Sequence, residues 1–142
     1  MVKKVVLLIL LLFFFGCEPG VENTKENAVK LFASNNFEFY VKSPIRFPGK
    51  TVLFTVSKKE KGYVIGSSES HKGMVVSNKK MEGFKLFFIK LISSEKEGCE
   101  KSAGTFTIRA YNYSHIIEYS NCTDKWDEIN EILNLEEILP KE

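Results

Sequence analysis

Apolar residues recur along this chain with two different periods. Phe37, Phe39 and Val41 alternate with Glu38, Tyr40 and Lys42, the period of two expected of a half-buried strand. Ser43-Pro44 ends that run, because proline cannot donate to a sheet ladder. Thr51 to Val56 is rich in β-branched residues and predicts a second strand. The charged stretch Lys58 to Gly62 reads as a turn, and Tyr63 to Gly66 begins a third strand that closes a hairpin. Met74 to Val76 predicts a short fourth strand. Alternation returns at Thr105 to Tyr111, where Phe106, Ile108 and Ala110 face one way. Beyond Asn112-Tyr113-Ser114, His115, Ile117 and Tyr119 share a face of one more strand, which forms a hairpin with the one before it.

The second period is that of a helix. Between Asn78 and Ser93, the run Leu86-Phe87-Phe88-Ile89 also suits a buried strand. A helical wheel nevertheless gathers Met81, Phe84, Phe88, Leu91 and Ile92 on one face and leaves only Leu86 out of place. Ser77 or Asn78 supplies an N-cap, so the segment is predicted helical. Asn27 to Ser34 predicts a shorter helix with Ala28, Leu31 and Phe32 on one side. At the C-terminus Trp126, Ile129, Ile132, Leu133 and Leu139 form the buried stripe of a helix. Thr123 or Asp124 caps it, and Pro140 ends it. The predicted fold is α+β: an antiparallel β-sheet packed on one side by the C-terminal helix and one further helix.

One apolar run obeys neither period. Val5 to Phe15 is uninterrupted, follows Lys3 and Lys4, and leads into Gly16 and Cys17. Its 11 residues reach about 16 Å as a helix, too short for a bilayer core of about 30 Å. The length suits the apolar segment of a cleavable export signal. Residues 1–17 resemble the signal of a bacterial lipoprotein, with Phe14 where those signals usually carry Leu. The resemblance implies removal of residues 1–16, a lipid on Cys17, a flexible tether over 17–26 and a single domain over 27–142. It places the domain outside the cytoplasm, held on a cell or outer membrane.

That assignment changes the charge and the cysteine count. The formal charge of +2 includes Lys3 and Lys4; without them 18 basic residues meet 18 acidic ones. The chain after Gly16 is neutral, which argues against nucleic acid as a partner. The charge is nevertheless segregated. Lys42 to Lys101 carries 13 basic and 6 acidic residues, while Glu118 to Glu142 carries 8 acidic and 2 basic ones. Either the acidic end packs near the basic middle, or the basic face meets an anionic partner such as a lipid headgroup or an envelope polymer. With Cys17 given to lipid, Cys99 and Cys122 remain, and an oxidising compartment makes them an expected disulfide.

Candidate chemistry is sparse. His71 lies in the polar loop Ser67 to Gly73 beside Glu69, but neighbours on one loop rarely converge as a nucleophile, base and orienting group must. His115 sits on the core side of its strand, at the rim. The expectation is therefore no enzyme, no metal site and no cofactor. Arg46 and Phe47, between Pro44 and Pro48, form a candidate interaction loop, because Arg and aromatic side chains on a stiff loop bind at low entropic cost. The competing reading is that Phe47 tucks into the core. Arg109 and Tyr111 belong on the solvent side of their strand. The expected function is a lipid-anchored envelope module that binds a protein or another envelope component. The alternatives are a periplasmic enzyme or enzyme inhibitor, and a small-ligand carrier.

Overall fold

Four of the described strands, Asn36–Lys42, Val52–Lys59, Phe106–Tyr111 and Ile116–Asn121, alternate buried and more open positions, and the pairing register puts their buried residues on the same side. The computed structural model describes residues 19–94 and 104–141. Along the chain come α1 (Lys25–Phe32), β1 (Asn36–Lys42), β2 (Val52–Lys59), β3 (Gly62–Ser67), β4 (Gly73–Val76), α2 (Asn78–Ile92), β5 (Phe106–Tyr111), β6 (Ile116–Asn121), α3 (Trp126–Leu133) and a 3-10 turn (Leu135–Ile138). The strands form one sheet in the order β4-β3-β2-β1-β5-β6, and every neighbouring pair is antiparallel. The α+β fold is as expected, with α1 and α2 both joining the C-terminal helix on the sheet.

All three helices cover the same face. Phe84 of α2 sits 5.2 Å from Phe39 of β1, which stacks on Phe54 of β2 at 4.9 Å. Phe32 of α1 meets Phe37 edge-on at 5.1 Å and Phe84 at 5.6 Å. Trp126 of α3 lies over Phe54 at 6.3 Å. The segment that suited either a strand or a helix is a helix. Ser77 caps it by accepting from the Lys80 amide, and Met81, Phe84, Phe88 and Leu91 are buried. Leu86, the misfit on the wheel, points outward.

Two helix boundaries differ from expectation. α1 begins at Lys25 because the Thr24 hydroxyl accepts from the Asn27 amide, a cap that lies ahead of the apolar pattern. The C-terminal helix does not run on to Pro140. It stops at Leu133, where Asn134 takes the left-handed conformation at φ 58° and donates its amide to Asn130 O at 2.6 Å. Asn and Gly reach that region most readily, so the residue type ends the helix before proline can. The turn aims Leu135, Ile138 and Leu139 back into the core.

The first described residues belong to the sheet edge. Val21 bridges Ile116 in parallel, and Glu22 N donates to Ile116 O at 3.0 Å. The Asn23 side chain both donates to Glu118 O at 2.8 Å and accepts from Glu118 N at 2.9 Å, as a neighbouring strand would. Asn27, buried in α1, donates to Glu22 O and Ile116 O and meets His115 Nδ1 at 2.6 Å. Of the stretch read as a tether, Val21 to Asn23 therefore lies along β6, and Lys25 and Glu26 open α1. Edge strands left bare invite pairing with other chains, and this one is partly covered.

Phe84→Ala is expected to destabilise the fold by about 3–5 kcal/mol, because it empties the seam between α2 and the sheet. Leu86→Ala on the outer face of the same helix should stay within about 0.5 kcal/mol. Urea denaturation of both variants checks the pair.

Candidate functional site

With the helices on one side, the other face of the sheet is left open. Register places Glu38 beside Tyr111, Tyr40 beside Arg109, and Arg109 beside Glu118. These five side chains point away from the helices because they alternate with Phe37, Phe39, Ile108, Ala110 and Ile117, which fill the core. The Tyr111 hydroxyl donates to Glu38 Oε2 at 2.7 Å, and Arg109 Nε donates to Glu118 Oε2 at 2.5 Å. The Arg109 guanidinium lies 5.8 Å from the centre of the Tyr40 ring, within cation–π range, and Tyr40 and Tyr111 sit 6.4 Å apart.

Two of these groups, Tyr111 and Arg109, are shifted by their surroundings. Burial first, and then the hydrogen bond to Glu38, push the Tyr111 phenol up to about 12. The hydrogen bond to Glu118 raises the Arg109 guanidinium further above its ordinary value, against a smaller opposing effect of burial. Near neutral pH Tyr111 is a neutral donor and Arg109 a permanent cation. A general acid or base works best with a pKa close to ambient pH, and neither of these groups has one. The arrangement suits recognition: aromatic rings and a guanidinium held in place by their own neighbours.

A cleft of about 460 Å³ opens at the end of this face, lined among others by Glu38, Ser57, Tyr111, Asn112 and Tyr113. Tyr113, at the tip of the β5–β6 turn, is fully exposed. A second cleft of about 400 Å³ lies beside the Pro44–Pro48 loop and is bordered by Arg46, Lys50, Glu69 and Glu136.

The residues singled out in the sequence fall in different places. Phe47 is only 7 % exposed and packs edge-on against Trp126 at 4.9 Å, so it serves the core. Arg46 stays at the surface and pairs with Glu136 at 2.9 Å, and Ile45 beside it is 81 % exposed. In the polar loop Ser67 to Gly73 the side chains turn to separate partners. Ser70 donates to Ile138 O, Glu69 pairs with Lys50, and Ser67 accepts from the Glu69 amide, while His71 is exposed. Cys17 and Cys99 lie outside the described residues, and Cys122 follows directly after β6. Among the described residues, no group of three or more His, Cys, Asp and Glu is placed to hold a metal ion.

Sequence reading put Arg109 and Tyr111 on the open face but missed their partners. The signal was present: Glu38 and Glu118 occupy the polar positions of their own alternating strands. The β5–β6 hairpin was readable but not its register, and nothing marked β1 as the other neighbour of β5. The chain matches no protein-family model, no curated protein and no solved structure. No helix among the described residues is long and apolar enough to cross a membrane.

The raised phenol gives a direct test. A tyrosine whose folded pKa exceeds its unfolded value of 10.0 stabilises the fold below that value, and the benefit is lost as pH rises through about 12. Tyr111→Phe should remove from an ultraviolet titration a phenol that titrates at about 12. It should also flatten the stability loss across that alkaline range.

Proposed function

We propose that this protein is a lipid-anchored, non-enzymatic binding module of a bacterial envelope, and that the open face of its sheet contacts a protein partner. The observation that carries the reading is the Tyr40–Arg109–Tyr111 cluster. Tyr and Arg are enriched among residues that dominate interface energies, and a side chain already held by its neighbours loses little freedom on binding. Here Glu38 and Glu118 hold Tyr111 and Arg109 before any partner arrives.

The sequence around Cys17 supports the anchor, and the mature chain would begin there. Cys99 and Cys122 then form the disulfide, tying the residue after β6 to the segment between α2 and β5. Arg46, in the Pro44–Pro48 loop, is a secondary contact. Phe47 contributes to that loop only by fixing it to Trp126.

A second reading rests on the cleft beside Tyr111, whose volume falls in the range of small-ligand sites. The space between sheet and helices does not favour such a carrier, because Phe39, Phe54, Phe84, Phe88 and Trp126 fill it.

Arg109→Ala and Tyr40→Ala, introduced into the full chain in its envelope, should each lower the yield of a specific cross-linked partner on the order of tenfold or more. Unchanged yield with both variants would remove the open face from the account. Mass spectrometry of the mature N-terminus checks the anchor: a lipid on Cys17 is expected, and an unmodified chain beginning at Val21 would refute it.

A further inference from the structure

The segregated charge of the sequence becomes a geometric feature once the sheet is assembled. The end of β2 carries Lys58 and Lys59, paired with Tyr63 and Gly62, and the turn that follows carries Lys61. Tyr63 in turn pairs with Val76, the last residue of β4, so α2 starts at the same end of the sheet with Lys79 and Lys80 in its first turn. All five lysines are exposed, and none makes an ion pair among the described residues. The turn's own carboxylate is Glu60, and Glu82, one turn into α2, is already paired with Lys85 at 2.8 Å. The fully exposed ring of Tyr113 stands at this end too, because the β5–β6 turn lies beyond the Tyr111–Ile116 pair.

The acidic C-terminal segment does not neutralise this cluster. It is fastened at the opposite end of the sheet, where Asp124 is bound by Ser43, Glu136 by Arg46 and Ile138 O by Ser70. The competing reading of the charge pattern, an acidic end folded against the basic middle, therefore holds at Arg46 but not at the five lysines.

The direction of the chain adds an independent observation. Val21 to Asn23 runs parallel to β6 and away from the β5–β6 turn, from Val21 beside Ile116 to Asn23 beside Glu118. Read backward at Val21, the backbone direction therefore points along β6 toward the end that carries Tyr113 and the lysines. Cys17 precedes Val21 by four residues, which reach at most about 14 Å when extended.

We propose that this basic end of the domain seats on an anionic lipid surface, as a second contact beside the lipid on Cys17. The inference rests on the lipid-anchored reading above. Clustered lysines are drawn to anionic headgroups, an exposed tyrosine suits the headgroup layer, and a short connection leaves the domain little freedom to turn that end away. Seated this way, the sheet stands with its basic end down, and the open face with Tyr40 and Arg109 remains to the side and free for a partner.

The test uses the full chain as processed in a bacterial envelope, reconstituted in vesicles of phosphatidylcholine alone or mixed with phosphatidylglycerol. Amine labelling is read lysine by lysine by mass spectrometry. On the anionic vesicles at low salt, labelling of Lys58, Lys59, Lys61, Lys79 and Lys80 should fall on the order of fivefold, and high salt should restore it. Lys50 and Lys125, away from this end, should label equally on both vesicles. In the double variant K58E/K61E, whose substitutions are at exposed positions of the strand end and its turn, the protection of Lys79 and Lys80 should disappear. Equal labelling of the five lysines on the two vesicle types would overturn the proposal. Protection by a soluble polyanion but not by anionic vesicles would overturn the choice of lipid. The N-terminal mass of the same sample keeps the two claims apart. A modified Cys17 with equal labelling refutes the docking alone, and protected lysines on an unmodified Cys17 refute the anchor alone.

Discussion

The contact of Phe84 with Phe39, backed by the stacking of Phe39 on Phe54, joins α2 to the centre of the sheet. α2 also carries the chain from the β4 edge across to β5, which pairs on the far side of β1. That aromatic contact, with the buried Met81, Phe88 and Leu91 beside it, lays the crossover on this face of the sheet. α1 joins the same cluster through Phe32, and α3 reaches it through Trp126. Burial of large rings is the strongest apolar contribution a domain of this size has available, and here it is concentrated on one side.

One-sided burial has a functional consequence. Because the alternation of each strand sends its apolar residues to the helices, the polar residues of β1, β5 and β6 meet one another on the opposite face. Glu38, Tyr40, Arg109, Tyr111 and Glu118 come from three strands and form one network there. The same topology separates charge along the strands. Lysines gather at the end with the β2–β3 turn and the start of α2, while the acidic C-terminal segment is held at the other end by Ser43, Arg46 and Ser70. The lysines at the one end stay unpaired among the described residues, whereas at the other Arg46, Lys50 and Lys125 pair with carboxylates.

Much of this was legible in the sequence, and the exceptions have physical causes. Period-2 alternation located β1, β5 and β6 because their two faces meet different environments. The wheel of Met81, Phe84, Phe88 and Leu91 resolved α2 as a helix despite its continuous apolar run. Local hydrogen bonds were less visible. Thr24 caps α1 from outside the apolar pattern, and Asn134 ends α3 through a left-handed turn that a buried stripe alone does not reveal. The pairing of β1 with both β2 and β5 was also hidden, since strand order depends on where α2 lands. The site was therefore half readable: Arg109 and Tyr111 could be assigned to an open face, but Glu38 and Tyr40 reach them only through the β1–β5 register. Phe47 was open to two readings, and the one that tucks it into the core holds, since it packs on Trp126.

The central claim is that the helices occupy one face of the sheet so that the other can bind. Site-specific photo-cross-linking of the full chain in its own envelope tests it most directly. Probes would be placed at Thr55 and Thr107 on the open face and at Glu82 and Glu131 on the outer sides of α2 and α3. The account predicts specific protein adducts from Thr55 and Thr107 and none from Glu82 and Glu131. Adducts from the helix positions alone would contradict it.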